Sequence, residues 1–309
     1  MTAPQPNPPV SGDLFATQQK PPMAAVPDKL GHARISREDA RDILTRATGF
    51  MDAYDFTLNP YSGCSFGCTY CYAAFFARGG YSPNTWGKWV RVKQNALALL
   101  KKYKPERLDG KLIYMSSVTD PYQPIEKKLE LTRSLLKVLV ARKPKLVVQT
   151  RSPAVTRDCD LFQQITEAGG RVRVNMTVTT DNEDIRRSFE PYCPSNAVRM
   201  RAIGEMAKAG IDTCITMTPL LLVSNPDGFV KNLLATGVEK FIVQPFHFNK
   251  GKFIAQTRAE AVTVMSEKLQ CDKSEYQERY LKHYHEVLAT LKKDLPNLGE
   301  GKDGFAPPF

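Results

Sequence analysis

Three cysteines within eight residues, Cys64, Cys68 and Cys71, lie in the run Asn59-Pro60-Tyr61-Ser62-Gly63-Cys64-Ser65-Phe66-Gly67-Cys68-Thr69-Tyr70-Cys71-Tyr72. Their spacing is C-x3-C-x2-C. Thiolates suit zinc and iron–sulfur clusters. Three of them on so short a loop can wrap one corner of a cluster, and Gly63 and Gly67 let the backbone pass close to it. A structural zinc site normally has four ligands, often as two CxxC pairs or with histidines. Here Cys159, Cys193, Cys214 and Cys271 are scattered, and no histidine lies between residues 33 and 246. Three ligands suit instead a [4Fe-4S] cluster with one iron open to a substrate or cofactor, which is a catalytic arrangement. Two other readings compete with it. One is a non-catalytic metal- or nucleic-acid-binding module built on a zinc knuckle. The other is an electron-transfer iron–sulfur protein, although four-cysteine ligation is usual there.

The triad needs elements to hold it. From about residue 55, short β-rich runs alternate with helical ones. The strand candidates are 55–59, 88–93, 111–117, 145–150, 171–178, 211–218 and 240–246. Helical stretches are expected at 94–103, 126–141, 154–168, 197–209 and 227–236, with Gly169–Gly170 and Gly210 where C-caps belong. Such alternation means βα units and a parallel sheet, which six or seven units can curl into a full or partial barrel. A further helix, 274–293, repeats Tyr276, Tyr280, Tyr284, Val287, Leu288 and Leu291 at helical spacing and should pack on the barrel. Residues 1–31 hold seven prolines and little apolar periodicity, the pattern of a disordered arm. The tail GEGKDGFAPPF looks loose.

The spacing C-x3-C-x-aromatic-C directly after a first strand resembles the radical SAM (S-adenosylmethionine) superfamily. The local sequence NPYSGCSFGCTYCY is similar to its spore photoproduct lyase-like branch. So are the run from Ser116 to Glu126, Thr179-Thr180-Asp181, Phe189-Glu190-Pro191 and Arg199, so the likeness extends over about 55–250. It implies a partial (β/α)6 TIM-like barrel of the radical SAM type over 32–255, followed by a helical extension and tail over 256–309. It also implies a [4Fe-4S] cluster on Cys64, Cys68 and Cys71, with the open iron chelated by SAM. One electron from the cluster then cleaves the sulfonium to methionine and a 5′-deoxyadenosyl radical, which takes a hydrogen atom from substrate. A reductant such as flavodoxin or ferredoxin must supply that electron.

Further residues acquire candidate roles. Catalytic groups of βα barrels sit at C-terminal strand ends. Ser116, Ser117, Thr119 and Asp120 end one strand, and the resemblance assigns them to the SAM ammonium; Thr119-Asp120-Pro121 is also a turn by itself. Thr150 and Arg151 end the next strand. Arg151 can fork onto the SAM carboxylate or stand as a surface arginine. Thr177 and Thr179 end the following strand and could bond the ribose. By analogy Tyr70 flanks the adenine, and Phe246 lines the same pocket. Tyr70 and Tyr72 match tyrosines of the lyase that could relay a hydrogen atom. One position departs from the lyase pattern: Ser117 stands where the lyase has the cysteine that returns a hydrogen atom to the product radical. A serine O–H is too strong a bond for that, so either another substrate or another donor is expected. Cys193 is the remaining thiol most worth testing as a second donor, and His247 could touch substrate. Arg199 should pair inside the fold with Glu190. His283 and His285 look solvated.

The formal net charge is +11, which suggests an anionic partner, nucleic acid among them. Segment 86–107 carries seven cations against Glu106 alone, with Trp86, Trp89 and Tyr103 among them. Such a mixture can grip phosphates and stack bases, but a solvated helix face and a strand explain the same charges. A peptide or small metabolite is the alternative substrate. No apolar run is long enough for a membrane span, no secretory pattern opens the chain, and the odd cysteine count speaks against a disulfide framework. The expectation is a cytoplasmic enzyme, a lyase or a catalyst of another radical transformation.

Overall fold

The computed structural model describes residues 26–77, 79–249 and 254–309. Among them, strands run in chain order β1 (Lys29–Leu30), β2 (Ala33–Glu38), β3 (Leu44–Arg46), β4 (Phe56–Leu58), β5 (Tyr61–Gly63), β6 (Trp89–Lys93), β7 (Leu112–Met115), β8 (Lys145–Thr150), β9 (Arg171–Thr177), β10 (Asp212–Met217), β11 (Phe241–Val243) and β12 (Leu298–Glu300). The main sheet has the order β12-β11-β10-β9-β8-β7-β4-β3. Its six central strands, β4 and β7 to β11, are mutually parallel. This is the expected partial (β/α)6 barrel, with β3 added antiparallel at one end and β12 parallel at the other.

Side-chain alternation divides the sheet's two faces. Ile113, Met115, Leu146, Val148, Val174, Met176, Ile215 and Met217 belong to the large core under the helices. Tyr114 and Val147 face the other way, toward Ala47 and Tyr54. That inner face turns polar toward the strand ends. Gln149 donates to Thr177 and Thr216 at 2.9 Å each and accepts from Tyr114 at 2.9 Å.

Several expectations need correction. Strand 88–93 was placed among the βα units, but β6 belongs to a second, four-stranded sheet, β1-β2-β6-β5. The expected helix 126–141 is two, Glu126–Leu129 and Leu131–Val140, broken where Glu130 takes φ +48°. The first turns of 154–168 are 3-10. The helical extension expected over 256–309 holds a helix at Ala259–Leu269 besides the one expected at 274–293. The tail is not loose: β12 extends the sheet, and Phe305 packs edge-on against Tyr114 and accepts a hydrogen bond from the Tyr54 hydroxyl at its carbonyl. The Pro-rich arm lies outside the described residues except at its end, where Lys29–Leu30 is strand. The helix Tyr276–Asp294 does pack its stripe inward, with Tyr280 and Leu291 fully buried. His283 is not simply solvated, since its Nε2 accepts from the Val223 N–H at 3.0 Å. No helix among the described residues is long and apolar enough to cross a membrane.

The small sheet matters because β5 feeds directly into Cys64. Gly63 has φ +77°, and a Cβ there would lie 2.5 Å from the Trp89 ring. Gly87, at φ +91°, approaches so closely that a Cβ on it would stand 2.7 Å from the Gly67 Cα. The cysteine loop thus leans on β6 and its entry turn, backbone against backbone. Gly87→Ala adds both left-handed strain and that clash, so a cost of at least about 1–2 kcal/mol is expected. Urea unfolding measures it; an unchanged midpoint would mean that the two segments are not coupled.

Candidate active site

Cys64, Cys68 and Cys71 lie at the C-terminal ends of the barrel strands, the first two buried and the third half-buried. Local turns shape their loop: the Gly67 N–H donates to the Cys64 carbonyl at 3.3 Å and the Cys71 N–H to the Cys68 carbonyl at 3.2 Å. It is tied down from three further directions. The Thr69 N–H donates to the Phe189 carbonyl at 2.8 Å. Gln123, fully buried, accepts from the Ser65 N–H at 3.0 Å and donates to Thr119 Oγ1 at 3.1 Å, while Thr119 donates to the Gly63 carbonyl at 2.6 Å. Arg258, entering from the C-terminal segment, donates to the Cys68 carbonyl at 3.1 Å.

The three thiols sense one another. Burial pushes Cys64 well up, and neighbouring Asp120, Cys68 and Cys71 push it further. Burial and Cys68 bring Cys71 up to about 11, against the pull of Arg151 and Arg258. Burial also opposes ionisation of Cys68, but the Cys193 thiol and Arg151 outweigh it and hold Cys68 below its ordinary value. Three thiolates crowded out of water would need a cation among them, which the iron of a cluster would supply. Among the described residues, no three His, Cys, Asp or Glu side chains converge on a single metal ion. Ligands of a cubane each meet a different iron and so need not converge. The glycine-hinged loop and its soft donors therefore fit a [4Fe-4S] cluster.

The strand-end residues fall into three groups. Ser116 has φ +78°, and its buried hydroxyl has no hydrogen-bond partner among the described residues. A strained residue with an unpaired buried hydroxyl is a mark of a functional site. Asp120, also buried, accepts from the Tyr122 N–H (2.9 Å), Thr150 Oγ1 (2.7 Å) and the Arg151 N–H (2.9 Å), which clasps β7 to β8. Burial raises its pKa, and those three bonds pull it back.

A second group centres on Glu190. It accepts from Tyr70 (2.5 Å) and Thr179 (2.8 Å), pairs with Arg151 at 3.3 Å and, as expected, is bonded by Arg199. Arg151 also donates to the Tyr70 hydroxyl at 2.7 Å. Burial raises the Glu190 pKa, but Arg199 and Arg151 outweigh it and bring it down to about 2. Thr177 stands apart from this group, sharing its hydroxyl with Gln149 and Thr216 in the barrel interior.

A third group lies around Tyr72. Its hydroxyl donates to the Ser117 carbonyl, and its ring meets His247 edge-on with centroids 5.5 Å apart. Asn59 donates to Ser117 Oγ at 3.4 Å. Tyr70 and Phe246 face each other at 6.3 Å, and Phe246 stacks on Tyr280 at 4.7 Å.

Sequence reading alone had missed Asn59, Gln123 and Arg258 as supports. The first two lie inside the motifs already noted and signal themselves only as buried amides; Arg258 lies outside them and carries no local signal. It had also left open whether Trp86 and Trp89 stack bases. Both are buried, with Tyr81 stacked on Trp89 at 3.9 Å. The cations do gather elsewhere: Arg41, Lys102, Lys104 and Arg107 line a cleft of about 640 Å³ together with Asp42, Leu99 and Tyr103. Lys250 and Lys252, which the sequence places just after the last strand of the barrel, lie outside the described residues.

Known proteins resemble the chain at two levels. It is 36% identical over 166 residues to an uncharacterised protein of Methanocaldococcus jannaschii, covering 54% of this chain and 60% of that one. It is 28% identical over 173 residues to an uncharacterised protein of Mycobacterium tuberculosis, covering 54% and 50%. The chain thus spans half to three-fifths of the curated relatives it matches. Its fold is that of spore photoproduct lyase, including a structure with bound AdoMet and dinucleoside spore photoproduct. The TM-score is 0.58 at 14% identity, covering 90% of this chain and 86% of that one. A family model described as the radical SAM superfamily matches residues 58–233. That span is more than half the chain and contains the cysteine loop and the strand ends just described, so the chain belongs to the radical SAM superfamily, whose cofactors are a [4Fe-4S] cluster and SAM.

Proposed function

We propose that Cys64, Cys68 and Cys71 hold the [4Fe-4S] cluster, that SAM binds beside it at the strand-end mouth, and that the enzyme abstracts hydrogen from a nucleic-acid substrate. One observation carries the reading: three thiols on a glycine-hinged loop close the end of a partial barrel at which an unpaired hydroxyl and a buried carboxylate also gather. When bound, the cofactors supply reductive cleavage of the sulfonium and a 5′-deoxyadenosyl radical; a carrier such as flavodoxin or ferredoxin provides the electron.

The chain's own residues bind and orient. A carboxylate has about four lone-pair sites, and Asp120 uses three internally, which leaves capacity for an ammonium beside the Ser116 hydroxyl, with Ser117 and Thr119 shaping the same turn. Arg151 commits one terminal nitrogen to Tyr70 and Glu190, and its remaining N–H groups can hold a carboxylate. Thr179 and Thr150 fix Glu190 and Asp120 rather than reaching ligand themselves. Thr177 is assigned to the interior face, where it supports the ribose side only through Gln149. Tyr70 and Phe246 offer aromatic walls for the adenine. Tyr72, flanked by Ser117 and His247, is the hydroxyl best placed to exchange a hydrogen atom with substrate.

The cleft of Arg41, Lys102, Lys104 and Arg107 supports an anionic polymer as substrate. Ser117, standing where the lyase pattern has cysteine, supports a second reading: a peptide or small metabolite whose reaction needs no such donor.

Three measurements follow. After anaerobic reconstitution, reduction in the presence of SAM should yield 5′-deoxyadenosine, and the variant with Cys64, Cys68 and Cys71 all changed to alanine should yield none. A loaded cluster that neither binds nor cleaves SAM would sink the proposal.

Oligonucleotide binding should weaken steeply with salt. Changing Lys102, Lys104 and Arg107 to glutamine should flatten the log–log salt slope by up to about 3, close to one unit per lost phosphate contact. No binding at low salt removes the nucleic-acid part and leaves the second reading.

Glu190→Gln leaves Arg199 and Arg151 as buried, uncompensated cations, at an expected cost of about 3–5 kcal/mol. The native carboxyl sits at about 2, below its ordinary 4.5. Its contribution is therefore full above pH 4.5 and lost as pH falls toward 2. The stability gap between wild type and variant, read by urea denaturation, should be constant near neutrality and shrink below about pH 4.

A further inference from the structure

We infer that Cys193 is a positioning residue for the iron–sulfur centre: its thiol donates an S–H hydrogen bond to the Cys68 sulfur and thereby sets how readily the centre accepts an electron. The inference rests on the reading that Cys68 is a cluster ligand.

Cys193 Sγ lies 3.6 Å from Cys68 Sγ, and both side chains are buried. Its other neighbour, the Phe66 carbonyl, is 3.9 Å away. The backbone around Cys193 is firmly fixed. Its N–H donates to the Glu190 carbonyl at 3.1 Å. Arg186 Nη1 donates to the carbonyls of both Glu190 and Cys193 at 2.9 Å each, and Arg186 Nε is held by Glu183 at 2.6 Å. The segment that carries the Glu190 carboxylate to Tyr70 and Arg151 thus also delivers a thiol to Cys68.

The direction of the bond follows from ligation. A sulfur bound to iron has lost its proton and can only accept, so the proton between the two sulfurs belongs to Cys193. Nor is Cys193 a fourth cluster ligand in this arrangement. Thiolates on different irons of a cubane stand further apart than two sulfurs in contact. Reduction adds negative charge that spreads onto the ligand sulfurs. A donor aimed at one of them favours the reduced form, and hydrogen bonds to sulfur are a recognised control of cluster potential. Arg258 acts in the same sense at the Cys68 carbonyl, whereas Cys193 meets the sulfur itself.

The test uses the full chain, reconstituted anaerobically, with Cys193→Ala, Cys193→Val and Cys193→Ser. Alanine and valine bracket the thiol in volume and lack a donor; serine keeps one. Iron content and a redox titration followed by electron paramagnetic resonance are the readouts. Iron loading should match wild type in every variant. In the alanine and valine variants the reduced-to-oxidised ratio at a fixed potential should fall about tenfold, a midpoint lower by about 59 mV for one electron. The serine variant should retain most of the wild-type ratio. An unchanged midpoint in a fully loaded alanine or valine variant overturns the inference. So does iron loss in all three, which would make Cys193 a metal ligand. Failure of the wild type to load iron is a different result: it overturns the cluster reading and this inference with it.

Discussion

The buried carboxylate of Glu190 is the interaction on which the rest of the site depends. A lone carboxylate removed from water is very costly and persists only when paired and hydrogen-bonded. Here two guanidiniums, a phenol and a threonine hydroxyl meet it. Each partner arrives from a different element: Tyr70 from the cysteine loop, Arg151 from the end of β8, Thr179 from just beyond β9, and Arg199 from the helix Asn196–Lys208. Satisfying one charge therefore fixes four pieces of chain relative to one another. Arg199 is fully buried and bonds the Thr177 and Pro194 carbonyls as well, so the ion pair is anchored in backbone and has little freedom to drift.

The cysteine loop illustrates the same logic. Three thiols must be held at fixed separations by a segment with no helix or strand of its own. The solution is to borrow rigidity from its surroundings: the small sheet behind Gly63 and Gly67, the Gln123 and Thr119 bonds from the β7 turn, the Phe189 carbonyl, and Arg258. Preorganisation of this kind would suit the proposed cluster, because a site on rigid supports loses little to reorganisation.

How much of this the sequence made legible depended on the range of the interaction. The parallel strands could be read because each is a local pattern of buried β-branched and aliphatic residues, as in 145–150 and 171–178. The triad could be read because its spacing is itself the chemistry. The second sheet could not, because β1, β2 and β5 are two to six residues long and their pairing with β6 is decided by tertiary contact rather than local pattern. The tail failed for a similar reason: Gly299 and Gly304 look like breakers, yet they allow backbones to approach within what a Cβ would forbid. Among site residues, Asp120 and Arg151 announce themselves as charges at strand ends, whereas Gln123 and Asn59 are amides whose roles appear only once the loop lies above them. Thr177 shows the limit of counting along a strand. It sits two residues from Thr179, but the strand has ended between them, and the two hydroxyls serve different networks.

The mouth also constrains what the enzyme can do with a radical. A hydrogen donor must have a bond weak enough to give up its atom and must stand beside the substrate. Ser117 fails the first condition, and its hydroxyl is turned to Asn59. Tyr70 meets the first but is enclosed by Glu190 and Arg151, so loss of its hydrogen would disturb the carboxylate that holds the site together. Cys193 has the weak bond but points at Cys68, behind the loop rather than into the mouth. Tyr72 remains. Among the described residues its phenol donates to a backbone carbonyl, and His247 beside it has its pKa lowered by burial, so the ring that flanks Tyr72 is biased toward its neutral form. The arrangement at the mouth thus suits the proposed phenol donor, which can quench only a substrate radical reactive enough to form a bond to hydrogen stronger than the phenol O–H it breaks.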